Sequence, residues 1–245
     1  MSISRWLSCD LPGQPFQNIL TKRFTIMIRR DDLSKPLLSR VLEAIEKGDK
    51  EEAIAAANKM WAETDSVRQI TAEIANSLLT YIAKQLGEEK IYDAWEYVGN
   101  EVHKPRMEEV AKLDHEQVID AYATFMRALG SDFVVEQDDE KAVVTVNCCG
   151  SAGVLRKEGK FDNTDRTYPL TNFGTTKQAH PWSFNKKGMS YYCVHGPVWF
   201  NILPHKWGVA QDLIVYETWG RQFDDAGNPV NEPCKVVIRK SAGKQ

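Results

Sequence analysis

The sequence predicts an α+β protein, with a bundle-like helical region followed by an antiparallel β-sheet. Three observations support this fold class. Apolar residues recur at helical spacing as far as Gly130, they alternate in short β-branched stretches after it, and turn-forming residues separate those stretches. At 245 residues the chain is long enough for one large domain or two small ones. We therefore distinguish a helical region, 1–130, from a β-rich region that carries Cys and His, 131–245, and these regions either fold separately or share one core.

Five apolar stripes predict the helices. The first, at 38–45, has Ser34 as its candidate N-cap and ends at Gly48 and Asp49. Stripes at 53–61 and 67–82 follow, the latter ending before Gly87, and a shorter one occupies 91–98. The last, at 118–129, stops at Gly130, a residue suited to the position after a helix. We interpret all five stripes as core.

Alternating residues predict four strands of one sheet, at 142–148, 191–195, 213–218 and 234–239. The turn-forming segment 224–229 indicates that the last two strands are neighbours joined by a long connection. Residues 156–188 are rich in Gly, Asn, Thr, Lys and Pro, which predicts an extended loop. Long loops on a rigid sheet often carry function.

Charge and composition limit the partners and the compartment. A formal net charge of −3 argues against duplex nucleic acid, which requires clustered Lys and Arg. No apolar stretch approaches the roughly 18 residues that span a bilayer, and the first 16 residues lack the apolar run of a secretory signal. Five cysteines form an odd set in a chain too large to need disulfides. We expect reduced thiols, a cytoplasmic protein and a small-molecule partner.

The most specific chemical feature is the pair Cys193 and His195. On a strand, residues two apart point to the same face, with their Cα atoms roughly 6–7 Å apart. Such a pair could bind one metal ion, or the imidazole could hold the thiol as a nucleophile. The competing interpretation is a chance Cys-x-His pair, which is not rare in a chain with five cysteines and five histidines.

Cys148 and Cys149 end the predicted strand 142–148, so only one of them can face a shared site while the strand stays regular. Cys148 lies on the same side as the apolar Val144 and Val146, which favours a core position. Cys149 precedes Gly-Ser-Ala-Gly, whose backbone amides could serve a ligand. Alternatively, both are small buried residues. Cys234 falls on the apolar side of its strand, which predicts a core thiol.

Other residues could complete a site. His180 precedes Pro181 and is a candidate ligand or acid–base group, and Glu217 could act as a general base or orient an imidazole. His205 is expected to be a surface or packing residue, and His103 and His115 are expected in solvent. Aromatic residues of the second half could bind a substrate: Trp182, Tyr191, Tyr192 and Trp199.

Three features together resemble the L-2-amino-thiazoline-4-carboxylic acid hydrolase family: Cys148-Cys149 closing a strand, Tyr191-Tyr192-Cys193 some forty residues later, and Pro233-Cys234-Lys-Val-Val-Ile near the end. The resemblance extends over roughly residues 35–240 as an order of elements. It implies hydrolysis of a carbon–nitrogen bond in a small, cyclic or open substrate. Members typically have Pro after the first Cys and Asp shortly after the second, where this chain has Gly150 and the segment Val194-His195-Gly196.

These patterns lead to a hydrolase hypothesis in which Cys149, Cys193 and His195 converge, with His180 from the loop. In one mechanism the three residues hold Zn²⁺, which activates a water molecule. In the other, Cys149 or Cys193 attacks the substrate after a histidine takes its proton. The alternative from another class is a binding or sensory module with a structural Cys/His metal site and an aromatic pocket made of Trp182, Phe184, Tyr191, Tyr192, Trp199 and Trp207. Redox chemistry through a Cys148–Cys149 disulfide is a third hypothesis.

Overall fold

The computed structural model describes residues 35–161, 172–223 and 229–240, and it confirms an α+β architecture. Helices precede a four-stranded antiparallel sheet. Several predicted features lie outside the described residues, namely the N-cap Ser34, the N-terminal 16 residues with Cys9, and most of the turn at 224–229.

Two helices form an N-terminal hairpin: α1 (Leu37–Glu46) and α2 (Lys50–Leu86). Between them Asp49 caps α2, because its side chain accepts the Glu52 N–H at 3.0 Å. The prediction of separate helices at 53–61 and 67–82 is wrong. Both stripes belong to α2, which continues for 37 residues because neither Gly nor Pro interrupts it.

A second group of helices runs from residue 90 to 128. It comprises α3 (Lys90–Val98), a π-helical segment π1 (Gly99–His103), α4 (Lys104–Val110) and α5 (His115–Ala128). Asp114 and Gln117 form a reciprocal capping box at the start of α5. The predicted stop at Gly130 is confirmed, since this glycine has φ 65° directly after the helix.

The sheet contains β1 (Asp132–Gln137), β2 (Lys141–Cys148), β3 (Ile214–Thr218) and β6 (Cys234–Arg239) in the order β1-β2-β6-β3, all antiparallel. Val236 of β6 lies opposite Val144 of β2 and opposite Tyr216 of β3. Two short strands, β4 (Arg221–Phe223) and β5 (Pro229–Glu232), pair with each other between β3 and β6.

The predicted strand at 191–195 is wrong. The chain there forms helical turns, in which the His195 N–H donates to the Tyr192 carbonyl and the Gly196 N–H to the Cys193 carbonyl. They lead into a second π-helical segment, π2 (Pro197–Ile202), and then α7 (Leu203–Trp207). The Tyr191 carbonyl is bonded by the Trp95 indole at 2.7 Å rather than by a neighbouring strand.

The predicted loop at 156–188 begins inside a helix, α6 (Ala152–Lys157), and includes a 3₁₀ turn at Pro181–Ser183. Residues 162–171 of this loop lie outside the described residues. α6 follows β2 after only a short turn, so the end of the strand and the start of the helix are close together.

Two large apolar clusters hold the fold together, and each joins the helical region to the β-rich region. The first packs α5 against the sheet, with Val118 and Met126 meeting Val144 and Val236. The second packs α2 and α3 against residues 182–219, with Trp95 at its centre. Both regions therefore contribute to the same cores.

The interpretation of every helical stripe as core is wrong for α1 and α2. Ile54, Val67 and Ile74 have 51%, 65% and 56% of their surface exposed. The side chains on the opposite face of the second half of α2, including Ala72 and Leu79, are the buried ones. Among the described helices, none combines the length and the apolar character that crossing a bilayer requires.

Candidate active site

A cavity of about 140 Å³ lies where β2 meets α6, beside the segment 192–195 and the strands β3 and β6. It is large enough for several water molecules or a small ligand group. The residues of its wall that can do chemistry are Cys148, Cys149, Ser151, Arg156, Lys157, Tyr192, Cys193, His195, Tyr216, Glu232 and Cys234.

Cys149 is held at the turn between β2 and α6. Its Sγ accepts the Gly153 N–H at 2.9 Å and lies 3.6 Å from the Ser151 hydroxyl, which donates to it. Gly150 allows this turn, because a side chain there would overlap the Leu129 carbonyl oxygen. The Cys149 sulfur therefore accepts hydrogen bonds from one backbone donor and one hydroxyl donor.

The other thiols of the cavity have different surroundings. Burial raises the pKa of Cys193 to about 11, although the Arg156 guanidinium lies 3.9 Å from its Sγ and opposes the rise. Burial also raises the pKa of Cys234, whose S–H donates to the Thr218 carbonyl at 3.3 Å. Both thiols are therefore protonated at neutral pH. Cys148 donates to the Cys149 carbonyl at 3.7 Å.

His195 is a neutral imidazole with a defined tautomer. Its Nδ1 lies 2.6 Å from the Tyr192 carbonyl, which can only accept, so Nδ1 carries the proton and Nε2 is left as the base. Burial lowers the pKa of His195, because the charged form would lose solvent. The ring is fixed by Trp95 and Trp199, whose ring centroids lie 5.4 and 5.0 Å away.

The phenol of Tyr216 and two cations complete the polar wall. The Tyr216 hydroxyl lies 3.0 Å from that of Tyr122, and burial raises the pKa of both phenols, so they remain protonated donors. Arg156 and Lys157 place positive charge at one side. The cavity can therefore offer a sulfur nucleophile, a base and hydrogen-bond donors.

Five predicted site residues do not contribute to this wall. His180 is bound elsewhere, since its Nε2 lies 2.7 Å from a Glu88 carboxylate oxygen and its ring stacks on Trp182. The Tyr191 hydroxyl also donates to Glu88, at 3.0 Å. The Trp199 indole N–H donates to the Trp95 carbonyl at 2.8 Å, and Glu217 is exposed on β3. Of the predicted set, Cys149, Cys193, His195 and Tyr192 share the cavity.

The predicted aromatic pocket is mostly core. Of its six members only Tyr192 lines the cavity. The other five belong to the second apolar cluster, three of them only partly buried. Their aromatic surface is used for packing, which sequence spacing does not distinguish from a ligand pocket.

His103 and His115 were predicted in solvent, and this is wrong. The His103 ring stacks on Trp199 with centroids 4.9 Å apart and meets the edge of Phe200. Its Nε2 is buried and has no hydrogen-bond partner among the described residues, and both ring nitrogens of His115 are likewise buried and unbonded. Burial lowers the pKa of His103 to about 4.

Sequence reasoning missed several cavity residues. Arg156 and Tyr216 come from a short helix and a strand distant in sequence, and no local pattern links them to Cys149. Cys148 and Cys234 are predicted as core thiols; Cys234 packs against the first apolar cluster, and both residues also line the cavity. Cys148 can do so together with Cys149 because β2 ends there and the chain turns, so strict alternation no longer applies.

The predicted zinc ligands Cys149, Cys193 and His195 do not fit a metal site in this geometry. Within 35–161, 172–223 and 229–240, no three side chains of His, Cys, Asp or Glu are grouped so that they could hold a metal ion. Zinc stays a prediction that metal analysis of the purified protein would test.

Comparisons of this chain with protein-family models, with curated proteins and with solved structures found no match.

Proposed function

We propose that the protein is a cysteine-dependent hydrolase that cleaves a carbon–nitrogen bond of a small molecule, with Cys149 as the nucleophile. The observation that supports this best is the 2.9 Å hydrogen bond from the Gly153 N–H to Cys149 Sγ, in a cavity that His195 also lines. A sulfur with backbone and hydroxyl donors, in the same cavity as a neutral imidazole, is suited to nucleophilic catalysis.

In the proposed reaction, Cys149 Sγ attacks the electrophilic carbon and forms a carbon–sulfur bond. The carbon–nitrogen bond breaks, and the leaving nitrogen takes the proton that His195 Nε2 accepted from the thiol. His195 Nε2 then removes a proton from water, the resulting hydroxide attacks the thioester-type carbon, and Cys149 leaves with that proton. The Tyr192 carbonyl keeps the ring in the required tautomer throughout.

Negative charge develops on the substrate during both steps. Arg156 and the protonated Tyr216 are the donors of the cavity wall suited to stabilising it. Removing a single donor of this kind typically lowers kcat by a factor of about 10²–10³.

The substrate class rests on two arguments. The cavity volume of about 140 Å³ favours a small molecule. The choice of a carbon–nitrogen bond comes from the resemblance to the L-2-amino-thiazoline-4-carboxylic acid hydrolase family, because the thiol and imidazole alone would serve other acyl transfers equally well.

The test has two parts. Purified protein is first treated with limiting iodoacetamide at pH 7, and the modified cysteine is located by peptide mass spectrometry. We expect Cys149 to react faster than Cys193 or Cys234, because burial raises the pKa of both of those thiols. The protein is then assayed for release of ammonia or amine from a panel of cyclic amidines, lactams and ureas.

Cys149→Ser should abolish turnover, whereas the matched variant Cys9→Ser, at the cysteine farthest from Cys149 in sequence, should retain it. Equal loss in both variants, or a Cys149 that does not react with the alkylating agent, would contradict the proposal. Tight binding of a panel member without turnover would favour the alternative binding or sensory module, and stoichiometric metal in the purified protein would favour the zinc mechanism.

A further inference from the structure

The second half of α2 has large apolar side chains on two opposite faces. One face packs into the fold through Ala72 and Leu79. The other, which we call the α2 stripe, consists of Val67, Ile70, Ile74, Leu78 and Tyr81, each with 55–65% of its surface exposed. The exposure of all five side chains means that nothing within the described residues covers the α2 stripe, and a contiguous exposed apolar row of this kind marks an interaction surface.

The spacing within the α2 stripe indicates what kind of partner fits. Successive members are separated by three, four, four and three residues, so the mean period is 3.5. This is the period of a coiled-coil seam, in which another helix packs alongside at a shallow angle. The stripe extends for about 21 Å at 1.5 Å per residue, and its five side chains provide five contact layers.

The flanking charges favour a second copy of this chain as the partner. Ile74 lies at the centre of the stripe, so an antiparallel pair with its two-fold axis at Ile74 places each residue opposite its mirror position. Lys84 is exposed and follows Ile74 by ten residues. In this pair it would lie opposite Thr64 of the second copy, which precedes Ile74 by ten residues, and beside Glu63 of that copy. Glu63 is also exposed, and its ion pair with Lys59 is long, at 4.0 Å. The two-fold symmetry would supply the attraction between Lys84 of one copy and Glu63 of the other twice.

We propose that the protein forms a homodimer in which the α2 stripes of two copies pair antiparallel about an axis at Ile74. The contact buries on the order of 1,000 Å² in total, which is at the low end of specific interfaces. The dimer is therefore expected to dissociate on dilution. This proposal does not depend on the proposed hydrolysis.

Sedimentation velocity of the full chain in reducing buffer, from roughly 1 to 100 µM, tests the proposal by mass action. The expected mass rises with concentration toward twice the 27.8 kDa of one chain. Ile74→Glu should remain monomeric over the whole range, because it places two like charges face to face at the axis. Tyr97→Glu is the matched control, since Tyr97 is 68% exposed on α3 and should leave the dimer unchanged.

A second variant distinguishes the proposed pairing from other associations. A residue on the two-fold axis meets its own copy, so Ile74→Cys should form a dimer linked by a disulfide under mild oxidation, whereas Tyr97→Cys should not. Circular dichroism confirms that Ile74→Glu is folded. A chain that stays monomeric at the highest concentration, as it would if residues 1–34 of the same chain covered the stripe, overturns the proposal. So does a dimer that Ile74→Glu leaves intact.

Discussion

At the scale of single residues, three cysteines of the cavity differ in their chemistry because their immediate neighbours differ. Cys149 has N–H and O–H donors, Cys193 is buried beside a guanidinium, and Cys234 donates to a carbonyl. Burial raises the pKa of Cys193 and Cys234, whereas the backbone and hydroxyl donors around Cys149 point at its sulfur. The role of each cysteine therefore depends on which backbone group it meets.

This is also why the sequence could predict some of these residues and not others. Cys149 was recognisable because Gly-Ser-Ala-Gly follows it and supplies backbone amides nearby in sequence. Cys234 and Arg156 meet the cavity only through strand order and the position of α6, which no local pattern encodes. His103 looked solvated among charges, whereas three aromatic residues from distant segments surround it.

His103 should make the protein less stable in acid. Its pKa is about 4 in the folded state against an ordinary 6.5, so below pH 6.5 the unfolded chain binds a proton that the folded chain does not. Stability is therefore complete above pH 6.5 and falls as the pH is lowered toward 4. His103→Phe keeps the aromatic contacts, and between pH 7 and pH 5 it should lose about 1–2 kcal/mol less stability than the unaltered protein.

Urea denaturation at the two pH values measures this difference. His205→Phe is the control, because His205 is exposed and has an acidic partner, Asp212. The difference in unfolding free energy between His103→Phe and the unaltered protein should change between pH 7 and pH 5. An equal difference at both pH values would show that burial does not hold His103 neutral.

At the scale of elements, the turn between β2 and α6 is the segment that makes the site. The strand ends at Cys148, the helix begins at Ala152, and Gly150 between them lies against the Leu129 carbonyl at the end of α5. The Gly150 N–H also donates to the Ser131 hydroxyl at 3.2 Å, which holds the turn against the start of β1. Three elements thus fix the position of Cys149.

Periodicity predicted the type of most regular elements, but not the bounds of the longest helix, α2, or the short helical turns. The capped helix α5 and the β-branched strands β2 and β6 were confirmed, because their patterns persist over six or more residues. The segment Tyr191–His195 has strand-like composition, but Gly196 and Pro197 follow directly and the chain becomes helical. The exposed stripe of α2 has the same spacing as a core stripe, so periodicity could not separate them.

Gly150→Ala should therefore disturb the site through the backbone. The added methyl group would overlap the Leu129 carbonyl, which costs about 1–3 kcal/mol of stability, and the turn must shift to relieve it. We expect slower alkylation of Cys149 as well, since the Gly153 N–H would no longer be aligned with its Sγ. Gly48→Ala is the comparison, because no atom lies near the added group there and only the strain of φ 72° remains. Unchanged Cys149 reactivity in folded Gly150→Ala would contradict this role of the turn.

At the scale of the whole molecule, Glu88 connects the helical region to the β-rich region. It lies between α2 and α3, and its carboxylate accepts the N–H groups of Lys177 and Gln178 at 2.6 and 3.1 Å. His180 and Tyr191 bind the same carboxylate. Burial acts to raise the pKa of Glu88, but these hydrogen bonds outweigh it and hold the pKa below its usual value. Glu88 therefore stabilises the fold above its usual pKa of 4.5, and this contribution is lost as the pH falls through the lower folded value.

Glu88→Gln tests whether this connection makes the two regions unfold together. Glutamine keeps the size of the side chain but replaces one acceptor oxygen by an amide that cannot accept, so the backbone donors of Lys177 and Gln178 cannot both be satisfied. The expected loss is about 1–3 kcal/mol of unfolding free energy. In native-state hydrogen exchange, the Lys177 and Gln178 amides should lose protection, while those of β2 and β6 should change only by the global loss of stability.

Because both apolar clusters also join the two regions, circular dichroism and tryptophan fluorescence should still report one coincident transition in the variant. Two separate transitions would mean that Glu88, rather than the shared cores, makes the chain one cooperative unit.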